Sequence, residues 1–272
     1  MRRLPEQLIG TIPPMDTRLA YTNKAEMYAR YRWDYAAEAI EFIIQTAGLT
    51  GDSAVVDLGA GTGKLTAHFA GRVAKLAAVE PNRAMLVYAE EALQNFPGCT
   101  CIEAPAEATG LPDSFADLIT AAHAVHWFDA GPALREIRRI LKPGGWIAIL
   151  RNNDMEHELR RAVGAVSTAE NGVRQVHQAP SNNVPLDFFY AGEPTETHKF
   201  PFVFRQNWEG FLGAAISASF NPNPGDPAFP AFEQAMHGVF ERFAVDIDGD
   251  KWLENRVETE VVIGKMGIIN QE

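Results

Sequence analysis

The sequence predicts an α/β fold, a doubly wound and mostly parallel sheet with helices on both faces. Three observations carry that expectation. Short apolar runs alternate with stretches whose apolar residues recur every three or four positions. Runs such as "SAVVDLG" and "KLAAVEP" are apolar on both faces, as strands between two helical layers must be. Three glycines, Gly59, Gly61 and Gly63, separate the first run from the amphipathic segment after it. A chain sheds side chains in this way where it turns tightly or lets a ligand approach its backbone.

Residues 1–20 carry prolines and read as a loose arm. Residues 25–49 show helical spacing and end at Gly48, which fits one or two helices. "SAVVDLG" is the first strand and "KLTAHFAGRV" an amphipathic helix. "KLAAVEP" is the second strand, stopped by Pro81. "NRAMLVYAEEALQNF" is a helix with Asn82 as its N-cap. "CTCIEA" is a third strand, and "SFADLITAAHAV" contains a fourth. "AGPALREIRRILKPGG" is a helix closed by Pro-Gly-Gly, and "WIAILRN" is a fifth strand.

Past residue 155 the rhythm breaks. "HELRRAVGAV", "NWEGFLGAAISASF" and "AFEQAMHGVFERFA" read as helices. "HQAPSNNVPLDFFYAGEPTETHKF" is rich in Pro, Asn and aromatics, "NPNPGDPAFP" is a loop, and "RVETEVVIGKM" is a strand. The expected organisation is one domain over 1–272: a helical cap (1–50), a core (51–154), a lid or substrate-binding region (155–250) and a closing strand (251–272).

The chain has 272 residues, 46% hydrophobic and 22% charged, with a net charge of −11. That excess of acid repels phosphate backbones and argues against nucleic acid as a partner. The basic stretches "RRLPEQ" and "REIRRILK" are short and separate, and the second has the spacing of a solvated helix face. No apolar stretch approaches the roughly 18 residues of a membrane span. The first residues lack the continuous apolar core of a signal peptide. Cys99 and Cys101 lie two apart on a strand, with poor geometry for a mutual disulfide, and read as reduced thiols. A cytoplasmic protein is expected, a monomer or homodimer acting on a small molecule.

The glycine turn is G-x-G-x-G, with Lys64 at the third glycine position of the dinucleotide pattern. Asp57, just before the turn, crowds a pyrophosphate with negative charge but suits an ammonium group. Glu80 ends the second strand, where a carboxylate accepts hydrogen bonds from two ribose hydroxyls and repels a 2′-phosphate. The ligand so described is an adenosine with free hydroxyls, no phosphate and an amine. S-adenosyl-L-methionine fits.

"VVDLGAGTGKLT", "AAVEPNRAML", "APAEATGLPDSFADLITAAHAVHWFD" and "ALREIRRILKPGGWIAIL" together resemble the successive motifs of class I S-adenosylmethionine-dependent methyltransferases. The resemblance is to the small-molecule, type 11 branch that carries "HWFD" after the fourth strand. Some members, such as the trans-aconitate methyltransferases, methylate carboxylates. It covers about residues 25–150. "ISASFNPNPGDPAF" and "ETEVVIGKM" match more loosely, as a cap helix with its loop and as the last strand. The resemblance implies a Rossmann-like, seven-stranded sheet whose last strand is antiparallel, with a helical lid insertion. It implies that Asp57, Gly59, Ala60, Gly61 and Gly63 surround the methionine part, that Glu80 takes the ribose, and that Pro81, Ala106 and Glu107 lie near the adenine. Ala122 and His123 would border the methionine ammonium. Tyr28 and Arg32, in "YARYRW", would cover the cofactor, although Trp33 stands where the family has proline.

Methyl transfer is an in-line displacement, so positioning supplies much of the rate, up to about 7–11 kcal/mol in the best cases. A base is needed only where the acceptor must lose a proton. His126 is the candidate, with substrate hydrogen bonding and a structural imidazole as its other readings. Trp127 suits either an aromatic contact with a sulfonium or core packing. "RNND", residues 151–154, reads as a polar loop rather than a metal site, and His157 and Glu158 do not form H-E-x-x-H, so no metal is expected. No N-P-P-Y motif follows the fourth strand.

Phe188, Phe189, Tyr190, Phe200, Phe202, Phe204, Trp208, Phe211 and Phe220 suit either an enclosed apolar pocket or ordinary core. Arg205, Ser217 or Ser219 could meet an anionic substrate. The expected reaction is methylation of a small molecule, more at oxygen than at carbon or nitrogen. A non-catalytic S-adenosylmethionine binder and a nicotinamide-dependent oxidoreductase are the alternatives.

Overall fold

The computed structural model describes residues 24–169, 185–218 and 220–267. The arm expected over 1–20 and the candidate Ser219 lie outside them. The elements are α1 (Ala25–Tyr31), α2 (Ala37–Ala47), β1 (Ala54–Leu58), α3 (Lys64–Ala67), β2 (Lys75–Val79), α4 (Arg83–Leu93), β3 (Cys99–Ile102) and β4 (Ala116–Ala122). There follow α5 (Ala130–Ile140), β5 (Leu141–Asp154), α6 (His157–Ala169), β6 (Thr195–Gln206), α7 (Trp208–Ile216), α8 (Phe229–Phe243), β7 (Val245–Ile247) and β8 (Asp250–Lys265).

The sheet runs β3-β2-β1-β4-β5-β8-β6, with β7 added as a short hairpin partner of β8. Strands β1 to β5 are parallel, and β8 is antiparallel to both β5 and β6. This is the expected doubly wound, Rossmann-like α/β sheet with its last strand reversed. The order changes direction between β1 and β4, the point at which such sheets hold ligands beyond their carboxyl ends.

Successive residues of β1 divide between two cores, as the two-residue period of a strand requires. Val55 joins Leu76, Leu118 and Leu150 under Ile40 and Ile43 of α2. Val56 and Leu58 join Val79 and Ile119 under Ile137 and Ile140 of α5. Burying each such side chain contributes about 1.5–3 kcal/mol. Two helix ends fall where the sequence puts them, whereas α5 stops at Ile140 and the Pro-Gly-Gly expected to close it lies within β5. Gly48 closes α2 at φ +62°, and the Asn82 side chain accepts hydrogen bonds from the Ala84 and Met85 N–H groups at the start of α4. Cys99 and Cys101 are free thiols, and burial pushes Cys101 up to about 11.

Three further stretches differ from expectation. "RNND", expected as a polar loop, is the end of β5 and pairs with β8. The helix after the glycine turn is four residues long, because the chain then tightens into i→i+3 bonds at His68, Phe69 and Ala70. That tightening lets Phe69 drop fully into the core before Gly71 turns at φ +73°. The third difference is β6. It lies inside 155–250, the stretch expected to be lid, and it pairs with β8 along its length from Thr195↔Gly264 to Gln206↔Leu253. Pro201 obscures it in the sequence, yet an edge strand tolerates a missing N–H. His198, Phe200, Phe202 and Phe204 are the more buried alternate residues, and His198 and Phe200 pack on Phe42 of α2 at ring distances of 4.2 and 5.4 Å.

Helices α6, α7 and α8 build a third core from Leu159, Phe211, Phe232, Met236 and Phe240, which also receives Met27 of α1. The tie to the N-terminal cap is close. Tyr31 lies where any side chain at Gly213 would have to go, with its ring 2.2 Å from the ideal Cβ position. The Lys24 ammonium is buried and donates to the carbonyls of Ile216 (2.7 Å) and Asn221 (2.6 Å). Burial outweighs the nearby Asp226 and lowers its pKa to about 8. No helix among the described residues is long and apolar enough to cross a membrane.

Candidate active site

The glycine turn is locked from both sides. Gly59 (φ +67°) and Ala60 donate their N–H groups to the Val79 carbonyl at the end of β2, at 2.8 and 3.0 Å. A Cβ on Gly59 would stand 2.5 Å from the Ala124 Cβ, and one on Gly63 (φ +78°) 2.9 Å from the Ala89 Cβ. Both positions therefore require glycine for two reasons: the left-handed backbone and the close approach of a neighbouring segment.

Two acidic strand tips flank the turn. Asp57 is 1% exposed. Its carboxylate accepts from the hydroxyls of Thr66 (2.6 Å) and Thr120 (2.8 Å). Burial outweighs those bonds and pushes it up to about 6, with Glu80 adding repulsion. Glu80 accepts from the Gly61 N–H at one oxygen and the Asn82 N–H at the other, both at 2.9 Å. It too is raised, by burial against those bonds. Thus Glu80 itself anchors the turn, besides whatever ligand group it meets.

A cavity of about 230 Å³ opens beside this turn. Asp57, Gly59, Ala60 and Gly61 form one wall, Tyr28 and Arg32 from the α1 end another, and Ala122, His123 and His126 a third. Nine expected residues are thereby brought together. The expected Gly63, Glu80, Pro81, Ala106, Glu107 and Trp127 are not among its lining residues. Ala106 is buried in the core beneath α5, and Trp127 packs against that core with its ring 5.0 Å from His126. Glu107 accepts the Asp129 N–H at 2.6 Å, at the start of α5.

The cavity is also lined by residues the sequence did not assign to the site: Thr62, Lys64, Trp33, Tyr35 and Asn152. Arg32 leans over the Tyr28 ring at 5.1 Å, and its Nε, like the Thr62 hydroxyl, is buried without a hydrogen-bond partner among the described residues. Such orphaned groups beside an open cavity suit a polar ligand. Burial lowers the Lys64 and His126 pKa values.

Asn152 joins three segments. Its N–H donates to the His123 Nε2 (2.8 Å), its Nδ2 to the Asp34 carbonyl (2.9 Å), and its Oδ1 accepts from the Thr259 hydroxyl (2.7 Å). Thr259, fully buried on β8, in turn accepts the Ala36 N–H at 3.0 Å. The segment between α1 and α2 is therefore pinned to the carboxyl ends of β4 and β5. In the sequence Asn152 was visible only as part of the polar "RNND" stretch.

The aromatics of 155–250 do not line this cavity. Phe189 and Tyr190 are buried in the core of α5, Phe200 and Phe202 flank that of α2, and Phe211 and Trp208 belong to the helical unit. Of the two readings open for them, ordinary core is the one these six follow, whereas Phe188 and Phe220 are exposed. Arg205 pairs with Glu254 at 2.8 Å, and the Ser217 hydroxyl donates to the Ala214 carbonyl at 2.6 Å. Neither faces the cavity. Among the described residues no cluster of three or more His, Cys, Asp or Glu is arranged to hold a metal ion.

The family described as a methyltransferase domain matches residues 56–149. An uncharacterized methyltransferase of Mycobacterium tuberculosis is 35% identical over 137 residues, 50% of this chain and 54% of that protein. The ubiquinone/menaquinone biosynthesis C-methyltransferase of Shewanella sediminis is 33% identical over 129 residues, 45% of this chain and 51% of that protein. The chain thus spans about half the length of the curated relatives it matches. Among solved structures, a protein of Anaeromyxobacter dehalogenans superposes with TM-score 0.59 at 22% identity, over 87% of this chain and 98% of its own. The YcgJ protein of Bacillus subtilis does so with TM-score 0.51 at 17% identity, over 85% of this chain and 100% of its own. These two likenesses concern the fold. With the glycine turn, the acidic strand tips and the strand order in agreement, residues 56–149 belong to the class I S-adenosylmethionine-dependent methyltransferases.

Proposed function

We propose that the whole chain transfers a methyl group from S-adenosylmethionine to a small-molecule acceptor, at a carboxylate or hydroxyl oxygen. Asp57 carries the proposal. It is a buried carboxylate whose hydrogen-bond partners are two hydroxyls rather than a cation, and it lines a cavity. A cationic ligand there recovers the energy that burial costs the charge. Gly59 and Gly61 leave room for that ligand, Glu80 takes its ribose hydroxyls, and Tyr28 and Arg32 close over it. The orphaned Arg32 Nε and Thr62 hydroxyl supply further polar contacts.

The cofactor supplies a methyl on a sulfonium, already activated for displacement. The residues of the chain orient the acceptor and keep water out. A carboxylate acceptor needs no base. For a hydroxyl acceptor, His126 lines the cavity and is held neutral by burial, which leaves a ring nitrogen able to take the proton. The hydrogen-bonding wall of Arg32, His123 and Asn152 favours an oxygen acceptor over an apolar carbon one. The helical unit α6–α8, tied to α1 through Lys24 and Tyr31, acts as the lid.

The Shewanella relative bears the name of a C-methyltransferase, which makes transfer to carbon the second reading. A screen of small acids, phenols, amines and electron-rich rings with methyl-labelled S-adenosylmethionine decides between them. Label in ester or ether products supports the proposal. Label only on ring carbon reverses the choice of atom, and no transfer despite cofactor binding leaves a non-catalytic binder. NADH binding with no response to S-adenosylmethionine would overturn the reading altogether.

A further inference from the structure

We propose that His123 is a fixed, neutral hydrogen-bond donor that holds an oxygen of the methyl acceptor. The proposal rests on the methyltransferase reading and assigns a residue to substrate recognition within it. It starts from the backbone. His123 is a non-glycine residue at φ +50°, directly after β4 ends at Ala122. Its N–H still donates to the Leu150 carbonyl of β5 at 3.0 Å. The chain then leaves the sheet, and the imidazole takes over the pairing: Nε2 accepts the Asn152 N–H at 2.8 Å. A backbone N–H can only donate, so Nε2 carries no proton and the neutral ring carries its proton on Nδ1.

His123 is among the residues that line the cavity, with Arg32 and His126. Its surroundings agree with the neutral form. Desolvation first, then the cationic Arg32 and Arg151 with the neighbouring His126 ring, press its pKa down to about 4. Asn152 is itself held by the Asp34 carbonyl and the Thr259 hydroxyl, so the ring cannot swing without breaking that network. A non-glycine residue in the left-handed region costs about 1 kcal/mol or more and persists where the surroundings over-determine it. What the strain achieves is one N–H, fixed in direction and unresponsive to pH over the physiological range. Such a group recognises a carboxylate, a phenolate or a carbonyl oxygen. It cannot serve as the general base, a role the geometry leaves to His126.

Asparagine tolerates the left-handed backbone and has both an acceptor for the Asn152 N–H and a donor to spare. His123→Asn is therefore the conservative variant, and His123→Ala the disruptive one. The full chain, uniformly labelled with nitrogen-15, is followed by long-range imidazole NMR from pH 5.5 to 8. S-adenosylhomocysteine is then added, followed by benzoate or phenol. The expected result is a ring protonated at Nδ1 throughout, with an Nδ1–H that shifts on addition of benzoate or phenol to the S-adenosylhomocysteine complex. In methyl transfer to the best acid or phenol, His123→Ala lowers kcat/KM at least 30-fold, mostly through KM. His123→Asn regains at least tenfold of that loss, and both variants bind S-adenosylhomocysteine within about twofold of the parent. A ring protonated at Nε2, or one that titrates between pH 6 and 8, overturns the proposal. So does an Nδ1–H unmoved by both oxygen probes. A tenfold loss of S-adenosylhomocysteine affinity in His123→Ala also overturns it, because the donor then serves the cofactor. Failure of the unmodified chain to bind S-adenosylhomocysteine sinks the methyltransferase reading instead, while the tautomer remains as measured.

Discussion

Asp57 and Glu136 are both buried carboxylates, on opposite faces of the same sheet, at 1% and 8% exposure, and their pKa values are displaced in opposite directions. Glu136 accepts from the N–H and hydroxyl of Thr109, at 2.8 and 2.6 Å, and from two nitrogens of Arg139, both at 2.8 Å. The Arg139 hydrogen bonds, outweighing burial, hold it down at about 2. Asp57 has two hydroxyls and no cation, and burial drives it up to about 6. The first arrangement is complete and needs nothing more. The second lacks a positive charge, on the wall of a cavity beside a turn stripped of side chains. The difference separates a carboxylate already paired with a cation from one that, on the proposed function, a cationic ligand would complete.

The largest effect belongs to Asp57→Asn. S-adenosylhomocysteine affinity should fall about 100-fold, or about 2.7 kcal/mol, by titration calorimetry. The ligand-free protein should at the same time become more stable at pH 7. The pKa of Asp57 is raised on folding, so the folded state holds the extra proton between about 4 and 6. Stability from this group is therefore highest at low pH and declines as pH rises through that window. Asparagine does not ionise, and thermal melts of the variant should lack that decline. Normal binding by Asp57→Asn would break the contrast between the two carboxylates.

Glu136→Gln tests the other half. Its depressed pKa contributes stability that is present above about 4.5 and lost as pH falls toward 2. The variant should lose about 2 kcal/mol at pH 7, allowing for the part-exposed Arg139, and the difference should shrink at pH 3 in urea denaturation. Cofactor affinity should not change. If it falls as far as in Asp57→Asn, the two sites are not independent.

Glu80→Ala lies between the two kinds, because Glu80 both anchors the Gly61 N–H and is assigned the ribose. It should weaken S-adenosylhomocysteine binding by about 1–3 kcal/mol. Unchanged affinity defeats the ribose assignment. Glu107→Ala should do least. Its carboxylate is engaged by the Asp129 N–H, so the expected result is about 0.5 kcal/mol of stability lost and an unaltered affinity. A loss of affinity matching that of Glu80→Ala would return Glu107 to the adenine.

The parts of the candidate site that follow one another closely along the chain had a local arrangement readable beforehand. Asp57, the glycine turn and Glu80 lie within one strand-turn-helix-strand unit, where spacing alone conveys geometry. The alternation of apolar runs and amphipathic stretches likewise anticipated β1 to β5 and their helices, and Asn82 marked the start of α4. Strand β6 was hidden because Pro201 and its charged neighbours match neither a buried strand nor a helix. Only its place at the sheet edge makes that composition acceptable. Trp127, open between a cofactor contact and core packing, and Glu107, placed near the adenine by resemblance, are not among the cavity's lining residues, since position in a motif does not say which way a side chain points.

By itself the sequence determined the α/β sheet, the bare turn and the two acids at its rim, because each is a local pattern of period, spacing and residue type. The tertiary structure alone decided what completes the cavity and what ties the N-terminal cap to the helical unit. Asn152 meets Thr259 across 107 positions, and Lys24 meets Ile216 across 192. Contacts of that span leave no periodic trace in a chain, since they arise only when separately folded elements pack and their unsatisfied donors and acceptors find one another.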